Sequence, residues 1–491
     1  MLDLLSSISP RVLRDDQRDA IEDLRLSLGK GNKRVVLQAP TGFGKTVVIA
    51  KMVASALERG RNVLVLVPRV SLVDQTIATL EQEGISDIGV MQGQHPRADL
   101  FASVLIATPQ TLSRRIIPDH FGLVLVDECH ESHAIVTKLM QLWPDVPFIG
   151  FSATPWAKGM GRIWEDLCVA ATTQGLIEKG LLSRFRAYAP DEPDLTGVRT
   201  VAGDFEEAAV ERIMSRHKLV GSVADTWLEK GEDRPTLCFA VNRSHARCLM
   251  ERFLSVGVAA VYCDGNTDIV ERELIRQHFE AGEIRIVCSV RTLTTGLDWG
   301  VSGIIDAAPT KSEILHVQKI GRGLRIKPGT EDLLILDHAG NSTRLGLVTQ
   351  IHHDCLDDGT KKKSSSSPRK QPLPKPCPAC GVLHVGLLCE QCGHVCAIRS
   401  SILEAPGELV EITGTQAAAP SPETLQLWFS GLLWLAREAD RKPGWASHVF
   451  REKFGDWPNG LENTPQPPTP EAANYAKSRL IAHLKRKPKE T

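Results

Sequence analysis

A β-branched run, Val35-Val36-Leu37, gives way to Ala39-Pro40-Thr41-Gly42-Phe43-Gly44-Lys45-Thr46 and then to a helical apolar pattern from Val47 to Leu57. A strand, a glycine-bearing turn and a helix in that order gather backbone N–H groups and a helix N-terminus round one point, where phosphate oxygens bind. In such a loop the Lys45 amine reaches the β and γ oxygens, and the Thr46 hydroxyl is placed to hold Mg²⁺. Ala39 stands where the G-x-x-x-x-G-K-[ST] pattern has its first glycine. Gly42, Gly44, Lys45 and Thr46 are therefore the candidate ATP contacts.

A nucleotide site of this kind needs acids on the far side of the metal. Gly122-Leu123-Val124-Leu125-Val126 reads as a buried strand and runs into Asp127-Glu128-Cys129-His130. An apolar strand that delivers adjacent carboxylates at its C-terminal end places them on the ligand edge of a parallel sheet. Asp127 suits a role in holding Mg²⁺ through water, and Glu128 suits the polarisation of an attacking water.

Asp127-Glu128-Cys129-His130 resembles the DExH box, and residues 1 to about 345 resemble superfamily 2 helicases and translocases of bacterial or phage type. Leu13-Arg14-x-x-Gln17 is similar to the adenine-reading motif that precedes the phosphate loop, which implies that Gln17 contacts the nucleotide. Val67-Pro68-Arg69 with Leu72-Val73-Asp74-Gln75, and Ala107-Thr108-Pro109-Gln110-Thr111-Leu112, resemble the segments that grip a nucleic-acid backbone. Ser152-Ala153-Thr154 resembles the motif that links hydrolysis to domain movement. Leu293-Thr294-Thr295-Gly296-Leu297-Asp298 resembles motif V, which puts Gly296 and Asp298 among the implied nucleotide contacts. Gln318-Lys319-Ile320-Gly321-Arg322-Gly323-Leu324-Arg325 fits the Q-x-x-G-R-x-x-R pattern of motif VI. The resemblance implies that Arg322 and Arg325 reach across a cleft to stabilise charge on the transferring phosphoryl group. It also implies that His130 links the ATP site to motif VI.

The fold class follows as α/β, with two tandem RecA-like parallel-sheet domains. Strand patterns fall at 34–38, 62–67, 103–107, 122–126 and 147–151, and again at 235–240, 258–263, 284–289, 303–307 and 332–336. The boundaries read as an ATP-binding domain (1–160), a connector (161–215), a second domain (216–345), a basic flexible linker (346–376), a zinc ribbon (377–396) and a helical tail (420–487). A chain of 491 residues has room for this many cores. Its formal net charge is −1, so any nucleic-acid surface must be local. Met1 to Arg14 lacks a secretory pattern and no apolar run approaches the ~18 residues of a membrane span, so the expectation is a cytoplasmic chain that does not meet a membrane.

Within the linker, Lys361-Lys362-Lys363 and Arg369-Lys370 flank a serine run with no apolar residue. That is the composition of a solvated tether that can also meet phosphates. Cys377-Pro378-Ala379-Cys380 and Cys389-Glu390-Gln391-Cys392 follow, each pair succeeded by a glycine. Tight C-x-x-C turns aim two thiolates at one point, so Cys377, Cys380, Cys389 and Cys392 are the expected Zn²⁺ ligands. Cys396, His384 and His394 are the rival donors. Trp428, Trp434, Trp445 and Trp457 concentrate in the tail, as a small helical core or as a surface for stacking bases.

The activity implied is an ATP-dependent helicase or translocase, with DNA favoured over RNA, acting alone or with a replication, repair or restriction partner. An RNA helicase, a DNA translocase that does not unwind, and an adaptor with an inert ATPase are the alternatives.

Overall fold

The computed structural model describes residues 12–476 except 94, 132, 190–192, 291–298, 328, 361–371, 396–420, 443 and 474. The chain divides into two compact units, Met1–Arg399 and Ser400–Thr491. Among the described residues no helix is long and apolar enough to cross a membrane.

The larger unit is built on two parallel sheets. The first contains β1 (Arg34–Gln38), β2 (Asn62–Leu66), β3 (Ile88–Met91), β4 (Val104–Ala107), β5 (Phe121–Asp127), β6 (Phe148–Ser152) and β7 (Asp166–Val169), in the order β3-β4-β2-β5-β6-β1-β7. The second takes β8 (Arg184–Tyr188) as an edge and, after the small antiparallel pair β9 (Thr200–Val201) and β10 (Asp204–Phe205), β11 (Thr236–Ala240), β12 (Ala260–Cys263), β13 (Ile286–Ser289), β14 (Gly303–Ala307) and β15 (Asp332–Asp337). Its order is β12-β13-β11-β14-β15-β8. Helices cover both faces of such sheets, so the middles of the central strands are apolar on both sides; Val35, Val36, Leu37, Val124, Leu125, Ile304 and Ile305 are fully buried.

Three strands of the two parallel sheets escape the sequence pattern: β3, β7 and β8, which all lie on sheet edges. β7 and β8 come from the stretch expected to be a connector. β7 pairs in parallel with β1, Val35 facing Asp166, and β8 pairs with β15, Asp332 facing Arg184. The passage between sheets is thus confined to the residues between Val169 and Arg184, around the helix Thr173–Glu178. β7 and β8 carry half-buried and exposed polar residues, which weakens their signature in the sequence, whereas β3 is buried throughout but only four residues long.

The segment expected to be a flexible linker over 346–376 is fixed through residue 360. Val348 and Ile351 are buried, Leu356 packs on the core of the first sheet, and the Asp357 carbonyl accepts a 2.8 Å bond from Gly161 N–H. Asp357 Oδ1 accepts from Gly159 N–H at 3.0 Å, and Arg162 Nε donates to Asp358 O at 2.7 Å. His353 packs against Trp156 of the first half and bonds Glu313 of the second at 2.7 Å. The chain leaving the second sheet therefore straps back onto the first. The rest of the expected basic tether, 361–371, lies outside the described residues.

The smaller unit packs helices Pro422–Glu438 and Trp445–Phe454 around Trp428, Phe429, Leu432, Val449 and Phe450. Trp428 meets Phe454 and Tyr475 edge-on, which assigns it to the core. Trp457 is exposed, with Arg451 stacked over its ring. The tail expected over 420–487 is described to residue 476.

Candidate active site and metal centre

In a parallel sheet the C-terminal strand ends form one edge, and the order β5-β6-β1 puts the phosphate loop after β1 two strands from the acids that end β5. Helix Lys45–Leu57 begins at Lys45, immediately after Gly44. Gly44 has φ 87°, and a Cβ there would come within 2.7 Å of Gln17 Nε2. A residue with a side chain would have to be strained and to push Gln17 away. The Gln17 amide donates to Phe43 O at 2.8 Å while its carbonyl oxygen accepts from Arg14 N–H at 3.1 Å, and the Arg14 guanidinium also donates to Phe43 O at 2.7 Å. Gln17, expected to contact the base, thus holds the loop itself. Gly42 lies beside Leu182, and Thr46 is half-buried at the start of the helix.

Lys45 Nζ is 2.8 Å from Glu128 Oε1. Glu128 adopts φ 47°, a left-handed turn that side chains seldom take and that functional sites often hold. Burial pushes the Asp127 carboxyl up to about 6, against the pull of Lys45. Burial acts on Glu128 in the same direction, but the charge and hydrogen bond of Lys45, with the charge of Arg322, outweigh it and hold that carboxyl below its ordinary value. Glu128 is thus kept ionised, as a group that must accept hydrogen bonds from water requires.

His130 joins the two halves. Its Nδ1 lies 2.8 Å from Ser152 Oγ and 3.3 Å from Glu128 Oε2, and its Nε2 is 3.1 Å from Gln318 Nε2. An amide nitrogen can only donate, so Nε2 carries the lone pair and Nδ1 the proton. Burial lowers the His130 pKa, in keeping with this neutral tautomer. Gln318 belongs to the helix Glu313–Gly321 of the second half. At the end of that helix a Cβ on Gly321 would sit 2.9 Å from Thr41 Oγ1, so only glycine lets motif VI come this close to the phosphate loop. Arg322, half-buried, follows at once, close enough to influence Glu128; Arg325 is also half-buried. Gly296 and Asp298 lie outside the described residues.

The segments expected to grip nucleic acid sit on the same edge of the first sheet, after β2 and β4. Arg69, Gln110, Arg114 and Arg115 are exposed there, and Thr108 caps the turn Pro109–Leu112 through Thr111 N–H at 3.3 Å.

Cys377, Cys380, Cys389 and Cys392 have sulfurs that all lie within 4.8 Å of one another. Gly381 N–H bonds Cys377 O and Gly393 N–H bonds Cys389 O, each at 2.8 Å, so the two turns are matched. Among the described residues His384 and His394 are not part of this group, and Cys396 lies outside them. Four sulfurs converging from two knuckles suit a tetrahedral thiolate site. The ribbon is seated on the second sheet: β16 (Lys375–Pro376) pairs with β17 (Leu383–His384), Leu383 is buried in the main core, and Gly381 faces Tyr188 of β8.

One group was passed over in the sequence although its signal was present. Gly303-Ile304-Ile305-Asp306 is an apolar strand ending in an acid, as β5 is, and Asp306 is fully buried beside the equally buried Lys319.

Two sheets meeting over a phosphate loop, a pair of acids and a cross-cleft arginine define an ATPase of the two-domain helicase class. Residues 11–157 match the family model for the Type III restriction enzyme res subunit, and residues 218–327 match that for the helicase conserved C-terminal domain. A 51.5 kDa protein of a Lactococcus phage (isolate 7-9) is 26% identical over 390 residues, covering 77% of this chain and 82% of that protein. A Saccharomyces cerevisiae protein provisionally named ATP-dependent helicase IRC3 is 30% identical over 367 residues, covering 70% of this chain; the chain spans 53% of that protein's length. A Type ISP restriction-modification enzyme, LlaBIII bound to DNA, aligns with a TM-score of 0.49 at 17% identity over 67% of this chain and 28% of that one. The chain belongs to the superfamily 2 helicases and is an ATP-hydrolysing enzyme.

Proposed function

We propose that the chain is an ATP-driven motor that moves along nucleic acid, DNA in preference to RNA, and separates its strands. The observation that carries this is the His130 bridge: one imidazole touches Glu128 and Ser152 in the first half and Gln318 in the second. Any movement of one sheet against the other must act on the carboxylate beside the phosphates.

Lys45 Nζ is paired with Glu128 Oε1. On this reading ATP draws the Lys45 amine to its β and γ oxygens, which frees Glu128 to orient and polarise the attacking water. Arg322 and Arg325 enter from the second half as charge builds on the γ-phosphoryl group, and reopening of the sheets follows its loss. Thr46 and Asp127 fit Mg²⁺, since a hydroxyl and a buried carboxylate supply the hard oxygen donors it takes. When bound, the ion would neutralise charge on the β and γ oxygens. The four cysteines fit Zn²⁺ as a structural ion that fastens the ribbon to β8.

The exposed arginines and Gln110 beyond β2 and β4 support a backbone grip on nucleic acid, and the restriction-enzyme family model supports DNA. ATP-dependent displacement of a labelled strand from forked DNA, measured beside an RNA duplex of matched length, tests the reading. The expected result is displacement on DNA that weakens as salt rises. Preference for the RNA duplex would make the chain an RNA helicase, and DNA-stimulated hydrolysis without displacement would make it a translocase.

A further inference from the structure

Helix Glu313–Gly321 carries a buried lysine that hydrolysis does not use. Lys319 Nζ is 2.5 Å from Asp306 Oδ1 and donates to Ala308 O at 2.9 Å. Asn341 Nδ2 donates to Asp306 Oδ2 at 2.8 Å and to Ala308 O at 3.0 Å, while its carbonyl oxygen accepts from Thr310 N–H at 2.9 Å. His316 Nδ1 stands 3.8 Å from the same carboxylate, and Asp337 Oδ1 accepts from Asn341 N–H at 3.1 Å. Lys319 is 2% exposed, and Asp306 and Asn341 are fully buried.

Packing alone does not call for this arrangement. Taking both charges out of water costs several kcal/mol, and apolar residues of similar volume often pack as stably. What an ion pair adds is direction. Lys319 follows Gln318, which meets His130, and precedes by one turn Arg322, whose N–H bonds Lys319 O at 3.3 Å. Each residue of a helix turns by about 100°, so a small rotation of this segment would carry Arg322 off the cleft.

We propose that Lys319 is a positioning residue: pinned by Asp306, Ala308 and Asn341 at the ends of β14 and β15, it fixes the rotation of the motif VI helix so that Gln318 and Arg322 face the nucleotide site. The network extends outward, since Thr310 Oγ1 also donates to Asp204 Oδ2 at 2.5 Å and joins the β9–β10 hairpin to the same strand ends.

The test uses the full chain, with wild-type turnover as control; absence of that turnover would sink the ATPase reading on which this rests. Lys319→Met should lower kcat by about 10- to 100-fold while KM for ATP moves by less than about threefold, as for a group acting only on the closed geometry. The double variant Asp306→Met with Lys319→Met removes both buried charges and should regain thermal stability, with kcat still low. Recovery of kcat together with stability would show a role in packing only and overturn the proposal, as would a KM defect with normal kcat. Lys319→Arg keeps a buried cation but displaces the donor; it should fold and lose about 3- to 10-fold in kcat, and a wild-type kcat there would equally overturn it, whether or not the methionine variants fold.

Discussion

The two parallel sheets of the larger unit treat their charges in opposite ways. The first puts them at the open edge: Lys45, Asp127 and Glu128 converge where phosphates would lie, and Glu128 accepts a left-handed backbone to get there. The second hides them. Asp306, Lys319, Asn341 and Asp337 are buried and bonded to one another, and what reaches the cleft is Gln318, the bare backbone of Gly321 and Arg322. On the proposed reading the first sheet carries the water-activating and metal-holding groups and the second positions the arginines that complete the site, with His130 as the joint. This division separates the expected defects of variants on the two sides.

The largest effects belong to the first sheet. Lys45→Ala should abolish hydrolysis and weaken ATP binding, whereas Glu128→Gln should keep binding and lose turnover by about 10³-fold. Equilibrium nucleotide binding and steady-state ATPase measured together distinguish them; near-wild-type turnover in either variant would break the division of labour. At the joint, His130→Ala should cost less, about 10-fold in nucleic-acid-stimulated turnover, with basal hydrolysis nearly unchanged. Equal loss of basal and stimulated rates would make His130 part of the chemistry and not of the coupling.

The ribbon sharpens the comparison from the second sheet's side. Metal analysis should find about one zinc per chain. Because Leu383 sits in the main core and the ribbon covers β8, Cys380→Ser should release the zinc and also lower the melting temperature of the motor by about 2–4 °C. An unchanged melting temperature would make the ribbon an independent appendage.

The smallest effect at neutral pH is expected at His245, which accepts a bond from Val241 N–H at 3.3 Å. Burial lowers its pKa to about 4 from 6.5, so the folded state favours the neutral ring. Its contribution is present above pH 6.5 and is lost as pH falls towards 4, by roughly 3 kcal/mol at most. His245→Leu should flatten the acid limb of a stability profile; an unchanged slope would place the acid sensitivity elsewhere.

The parts legible in the sequence are those where local pattern and chemistry coincide. The phosphate loop declares itself by glycine and lysine, β5 by an apolar run ending in acids, and the ribbon by paired cysteines, each a feature of a few consecutive residues. The edge strands β7 and β8 were not legible because an edge tolerates polar residues such as Asp166, Arg184 and Arg186, whereas β3 is apolar and buried but only four residues long, with Gly89 among them. The strap over 346–360 was hidden for another reason: its few anchors, Val348, Ile351, His353 and Asp357, acquire partners only once the two halves are folded side by side. Gln17 shows the same limit, since its bond to Phe43 depends on tertiary approach and not on its own motif.

The cross-cleft role of the second half is tested most directly by kcat and KM for ATP in Arg322→Ala, measured with saturating single-stranded DNA. The account predicts a fall in kcat of about 10²-fold with KM changed by less than about threefold, because the guanidinium acts on charge that develops only as the phosphoryl group leaves. A weaker KM with kcat intact would place Arg322 in ground-state binding and contradict it.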